Sequence, residues 1–280
     1  MECTDVAVLA DVAAVVAVML SAAVCDIRKR EVSDRHWQIL AAVGPVAYLI
    51  FCIGDGGLRW EYVFNCLGML CAALCFTAGR AGQDVILGAV SVVSATAVLV
   101  FGDRDPRVII GLMSQAAVFV FFLFYAAGIL RGGADAKCLI ALSVSIPAYY
   151  DIWHIPVSAP GDIFSVLFAP VFSVLLIGAA VAAVWCIVWY FIPAEGKRRE
   201  GLRCFMEISA AEKAFVWPAE DIQDGGKTYT GTCSDEDMSE VYGRLRAIGE
   251  KEVRVTYMIP FVAPLAAAAA ATVLFGPFFI

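Results

Sequence analysis

Several kinds of chemistry lack the residues they would need. Only two histidines occur in 280 residues, His36 and His154, and neither belongs to an HExxH pair. A zinc hydrolase needs a set of nitrogen, sulfur or carboxylate ligands at fixed spacing. No CxxC occurs either, although the chain has ten cysteines. Most of them, Cys25, Cys52, Cys66, Cys71, Cys75, Cys138 and Cys186, lie inside apolar runs, where a thiol behaves as a small hydrophobe. Cys71 and Cys75 share a helix face but have no further ligands beside them. No metal site and no cofactor is expected. Charge is also scarce: 17% of residues are charged and the net charge is −7. No basic patch with interleaved aromatics points to nucleic acid.

What is abundant is apolar sequence, with 61% hydrophobic residues and a mean hydropathy of +0.80. A bilayer core of about 30 Å takes about 20 apolar residues per helix. Eight segments approach that pattern: 6–25, 36–53, 62–79, 85–101, 108–130, 136–150, 163–192 and 257–279. The expected fold class is an all-α polytopic membrane protein of about eight transmembrane segments, with a small cytoplasmic domain before the last helix. Residues 1–193 form the helical core, 194–256 the polar domain and 257–280 the final helix. The third and fourth segments are short enough to form a re-entrant hairpin, and Pro147 ends the sixth early. The first run has no basic leader or small-residue cleavage site, so it reads as a retained helix.

Basic residues in short loops set orientation. Arg28, Lys29, Arg30 and Arg35 follow segment one, Arg80 follows segment three, and Arg131 and Lys137 follow segment five. The opposite side carries Glu2, Asp5, Asp11, Asp55, Arg59 and Glu61, then the stretch from Asp151 to Asp162. The loop from Gly102 to Arg107 is balanced. Both termini are therefore expected outside and 194–256 in the cytoplasm. In that polar region Gly225-Gly226 and Thr230-Gly231-Thr232 read as turns, and Ser234 to Glu252 as a short amphipathic helix. Its role is either substrate docking or a cap over the helix ends.

Two aspartates stand out. Asp26 ends segment one and Asp135 begins segment six behind Gly132, Gly133 and Ala134. Ionisable groups at or in a bilayer are costly and mark function by default. Loop parity brings both to one face. Facing carboxylates share a proton, so one activates water while the other polarises a carbonyl. Helix-end fields favour Asp135 as the base and Asp26 as the acid. The plainer reading is a pair of interfacial ion pairs beside turn glycines. Glu31, Asp34 and Asp84 on the same face either attract a basic substrate segment or are solvated charges, and Asp84 with Gln83 also suits a helix cap. Lys137 either tunes Asp135 or anchors its segment. Trp153, His154, Trp185, Trp189 and Tyr190 sit at segment ends, where interfacial aromatics belong.

The stretch from Asp26 to Asp34 resembles the first aspartate motif of the type IV prepilin peptidase family. Gly132-Gly133-Ala134-Asp135-Ala136-Lys137 resembles its second, GxGD, with Ala134 replacing the second glycine. The polar domain before a last hydrophobic helix is similar to the archaeal preflagellin peptidases. That resemblance implies a membrane aspartic endopeptidase with Asp26 and Asp135 as its catalytic carboxylates. It would remove the short basic leader of preflagellin or pilin-like precursors, its partners beside membrane lipid. The paired CxxC motifs of the bifunctional bacterial members are missing, so methylation is not carried over. A presenilin-like reading is weaker, because Tyr150-Asp151 follows GxGD and Ala263-Pro264-Leu265 is not Pro-Ala-Leu. An ion-coupled transporter with an aspartate relay is the alternative from another class, and a non-catalytic scaffold a third.

Overall fold

The computed structural model describes residues 3–77, 82–130, 132–149, 169–193, 196–201, 203–214, 216–223, 226–229 and 238–277. Arg80, Arg131, the stretch from Tyr150 to Asp162, Phe215, Gly225 and Thr230 to Thr232 lie outside them, and with them Trp153 and His154. The chain divides into two compact units, Met1–Ala180 with Pro260–Ile280, and Val181–Ile259.

The first unit is helical. Helices α1 (Cys3–Lys29), α2 (Asp34–Gly56), α3 (Trp60–Thr77), α4 (Gln83–Phe101), α5 (Pro106–Ala126), α6 (Gly133–Ser145), α7 (Pro170–Phe191) and α10 (Val262–Phe275) match the eight apolar segments. Among the described residues six of them, α1 to α5 and α7, are long and apolar enough to cross a membrane. The protein is thus a multi-pass membrane protein on length and composition. Helix α3 is 18 residues and α4 19, so each reaches spanning length. The two that fall short have local causes. Helix α6, at 13 residues, stops two residues before Pro147, which disfavours helical backbone in its predecessor. The eighth segment begins as strand and Met258-Ile259-Pro260, leaving 14 helical residues, about 21 Å at 1.5 Å each.

Caps and close approaches set the helix ends and pairings. Ser33 caps α2, and Asp105 caps α5 by accepting from the Arg107 N–H at 2.8 Å, with Pro106 at the first helical position. Helix α6 is the centre: Ala136 and every residue from Cys138 to Ser145 are buried. An all-round apolar helix belongs inside. It meets α2 so closely that a side chain on Gly44 would run into the backbone of Val144 and Ser145, while the Ser145 hydroxyl donates to the Leu40 carbonyl at 2.9 Å. Helix α10 packs on α1, and its run from Ala266 to Ala271 is made of small residues of the kind that let helix backbones approach. Helix α4 has the opposite character, with Val85, Ile86, Val93, Leu99 and Phe101 exposed on a surface suited to lipid.

The second unit contains strands that the helical expectation did not foresee. Strands β1 (Lys197–Glu200), β2 (Arg203–Glu207), β6 (Glu252–Tyr257) and β3 (Val216–Pro218) form an antiparallel sheet in the order β1-β2-β6-β3. Strands β4 (Glu220–Gln223) and β5 (Gly226–Tyr229) form a hairpin. Helix α8 (Ile208–Ala211) is a single turn, and α9 (Met238–Ala247) supplies Val241, Tyr242 and Leu245 to a small core with Met206, Val253 and Val255. Helix α9 is shorter than the sequence suggested. Gly249, at φ +84°, terminates the turn, and the alternation of Val253 and Val255 then takes the chain into β6. Lys197 donates to the Trp189 and Ile192 carbonyls at 2.6 and 2.9 Å, satisfying the C-terminal end of α7. Asp221 accepts two bonds from Arg244 at 2.8 and 3.1 Å, which holds its carboxyl below the usual range.

Candidate active site

The helical unit has two charged ends. At one, the start of α1 meets the end of α2, where Gly54 lies against Thr4. Arg59 there bonds to Glu61, Asp103 and Asp105. At the other end lie the close of α1 and the starts of α2, α6 and α10. Gln38 in α2 donates to the Thr77 carbonyl at 3.1 Å, placing the α3–α4 turn at this end too. All nine residues singled out from the sequence fall here.

Asp26 lies in the last turn of α1. Met19, Ala22 and Ala23, seven, four and three residues earlier, share its buried face. It is 8% exposed. The Val262 N–H donates to its Oδ2 at 3.0 Å. Arg30, whose φ of +57° ends the helix, is near enough to act on it as a charge. Asp135 is the third residue of α6 and partly buried. Gly132 makes its position possible, because a Cβ there would collide with the Asp135 carboxylate. The two carboxylates are close enough to interact as charges, and the Cys138 thiol, one turn along α6, senses both. Cys138 meets Met19 at 3.8 Å, which brings α6 against α1 one turn from Asp135.

The remaining residues divide. Lys137 pairs with Asp34 at 2.7 Å, tying α6 to the start of α2. That bond uses both Asp34 and the Lys137 ammonium within the protein. Gly133 is exposed, and Ala134 sits partly buried in the first turn of α6. Glu31 is exposed in the link between α1 and α2. Asp84 lies in the first turn of α4, and its carbonyl accepts from the Cys75 thiol at 3.1 Å. Among the described residues no group of three or more His, Cys, Asp or Glu could hold a metal ion.

Two features escaped the sequence reading. One is a buried polar cluster: Asn65 donates to the Tyr48 hydroxyl and the Val108 carbonyl at 3.2 and 2.9 Å, and Gln115 donates to Asn65 at 3.1 Å. Asn65 and Gln115 were legible as polar residues in apolar segments, and such side chains bond between membrane helices. The other is the backbone of Val262, which carries no sequence signal. Compared with known proteins, the chain matches no family model, no curated protein and no solved structure.

Proposed function

We propose that the protein is a membrane aspartic endopeptidase whose Asp26 and Asp135 cleave a peptide bond at one membrane face. The observation that carries this reading is the convergence of two carboxylates from distant sequence positions, near enough to act on each other as charges at one end of the helical unit. Acids so placed resist ionising together, so one holds a proton while the other takes one from water. Water oxygen then bonds to the scissile carbonyl carbon as the carbonyl oxygen is protonated. The resulting diol collapses with a proton delivered to the leaving nitrogen. Neither a metal nor a covalent nucleophile is needed.

The resemblance of the two aspartate motifs to type IV prepilin peptidases supplies the substrate class: preflagellin or pilin-like precursors with a short basic leader before a hydrophobic helix. Basic loop residues put the catalytic face and residues 194–256 in the cytoplasm and both termini outside. Exposed Glu31 is placed to attract a basic leader. The test is cleavage of such a precursor in membranes holding the native protein, Asp26→Asn or Asp135→Asn. The native protein shortens the precursor and both variants accumulate without cutting. Normal cutting by either variant removes the two-aspartate mechanism.

One observation favours a second reading, an ion-coupled transporter. Asp11 is 3% exposed within α1, and its Oδ1 has no hydrogen-bond partner among the described residues. Proton uptake into sealed vesicles that depends on Asp11, without precursor cleavage, replaces the peptidase by the transporter.

A further inference from the structure

We propose that the N-terminus of α10 is part of the catalytic apparatus: its first backbone N–H holds Asp26 as the ionised, water-activating carboxylate and leaves Asp135 as the proton donor. This assignment rests on the peptidase reading. It reverses the roles that helix-end fields alone give to the two residues.

The first N–H groups of any helix lack partners within it, so each must be accounted for. In α10 the account closes on Asp26. The N–H of Val262, first residue of the helix, donates to Asp26 Oδ2 at 3.0 Å in a buried setting. That of Ala263 donates to the Pro260 carbonyl at 3.0 Å. Pro264 has no N–H, and Leu265 already bonds to the Phe261 carbonyl at 3.2 Å. One donor, the Val262 N–H, therefore remains for a ligand outside the helix, and Asp26 takes it. Phe261, the capping residue, makes no side-chain cap bond, so Asp26 does the work of the cap from 236 residues away.

Asp135 has no such support. It sits at the first turn of its own helix, yet among the described residues no hydrogen bond reaches its carboxyl, and Gly132, the cap of α6, offers no side chain. Donors aimed at a carboxylate favour its charged form, and bonds to a charged acceptor are the stronger kind. A helix-end field without a hydrogen bond is weaker and screened. The other charged or titratable groups facing Asp26 are Asp135 and Cys138 from α6 and Arg30 from its own helix. The first turn of α10, Val262 to Leu265, presents only uncharged side chains. Lys137 is engaged by Asp34.

The proton path follows. Asp26 takes a proton from water as the water oxygen bonds to the carbonyl carbon, and Asp135 gives its proton to the carbonyl oxygen. As the carbon–nitrogen bond breaks, Asp26 passes its proton to the nitrogen. A diol hydroxyl returns one to Asp135, restoring the starting state. Val262 is a positioning residue in this cycle, acting through Asp26.

The experiment replaces Val262 by its α-hydroxy acid analogue in the full-length protein in lipid nanodiscs. The backbone ester keeps the side chain and deletes one N–H. Infrared spectra with carbon-13 labelled aspartate carboxyls, assigned by comparison with Asp26→Asn, follow the protonation of Asp26 against pH. Loss of the donor moves the half-protonation of Asp26 upward by about one pH unit. The same ester at Ala268, in the middle of α10, leaves it in place. An unchanged Asp26 titration in the Val262 ester, or ionisation of Asp135 before Asp26 in the native protein, overturns the assignment. In the cleavage assay the acid limb of kcat/KM moves with the infrared midpoint, which a purely structural bond would not cause. Absence of cleavage by the native protein defeats the peptidase reading, while the infrared result still decides which carboxylate α10 holds.

Discussion

The two ends of the helical unit both gather acids, and they treat them differently. Around Arg59 one guanidinium serves Glu61, Asp103 and Asp105, and Asp105 in turn caps α5. Each acid there has a cation, a backbone N–H or both. At the other end Asp26 and Asp135 act on each other as like charges, one held by a backbone donor and the other by no hydrogen bond among the described residues. An arrangement built for stability neutralises its charges. An arrangement that leaves like charges opposed costs stability, and such clusters concentrate at sites of chemistry.

The sharpest break in this comparison is Asp26→Asn or Asp135→Asn, each of which lowers precursor cleavage by about 10³-fold or more, read as product per membrane-embedded enzyme. Asparagine at position 26 keeps an oxygen for the Val262 N–H, so Asp26→Asn folds normally. Asp26→Ala loses the cap as well and costs about 1 kcal/mol of stability, measured by thermal unfolding in detergent. Gly132→Val comes next. It pushes the Asp135 carboxylate off its position and lowers kcat by about 10²-fold with little change in protein level. Arg59→Met then separates the ends in the opposite sense. It strands the buried Glu61 carboxylate and lowers the unfolding temperature by several degrees, while the cleavage rate per folded molecule stays at the native value. Lys137→Ala removes a half-exposed ion pair with Asp34 and shifts stability by less than about 1 kcal/mol.

The smallest effect lies in the strand-containing unit. Asp221 is held below the usual carboxylate range by Arg244, so its contribution is complete above the unfolded value of about 3.9 and is lost as pH falls through the folded one. Unfolding followed between pH 5 and pH 2 is less acid-sensitive in Arg244→Met than in the native protein.

Much of the helical unit was legible because its signals are local. Long apolar runs bounded by charge, a proline after α6 and a serine before α2 each act within a few residues. So were the two aspartates, as costly groups at segment ends beside basic residues, Asp135 behind two glycines as well. Less was visible where the deciding partner is distant. The strands of 197–257 are three to six residues long, too short for alternation to distinguish from turns, and the pairing of β2 with β6 joins residues 49 positions apart, as Phe205 with Arg254. The pairing of Lys137 with Asp34 spans 103 residues. The roles within the aspartate pair were inferred from the helix each belongs to, and the helix that matters for Asp26 is the one it caps.

That last contact is made by an atom every residue but proline possesses. Substitution at position 262 by any other amino acid leaves the N–H in place, so selection acting on this hydrogen bond leaves no preferred letter there. Side-chain scanning passes over it for the same reason. The constraint falls instead on the absence of proline at the helix start, since Val262→Pro would delete the donor. A lineage could rewrite the residues around Val262 while holding Asp26 in the same grip, and proline at that one position is the change it would not tolerate.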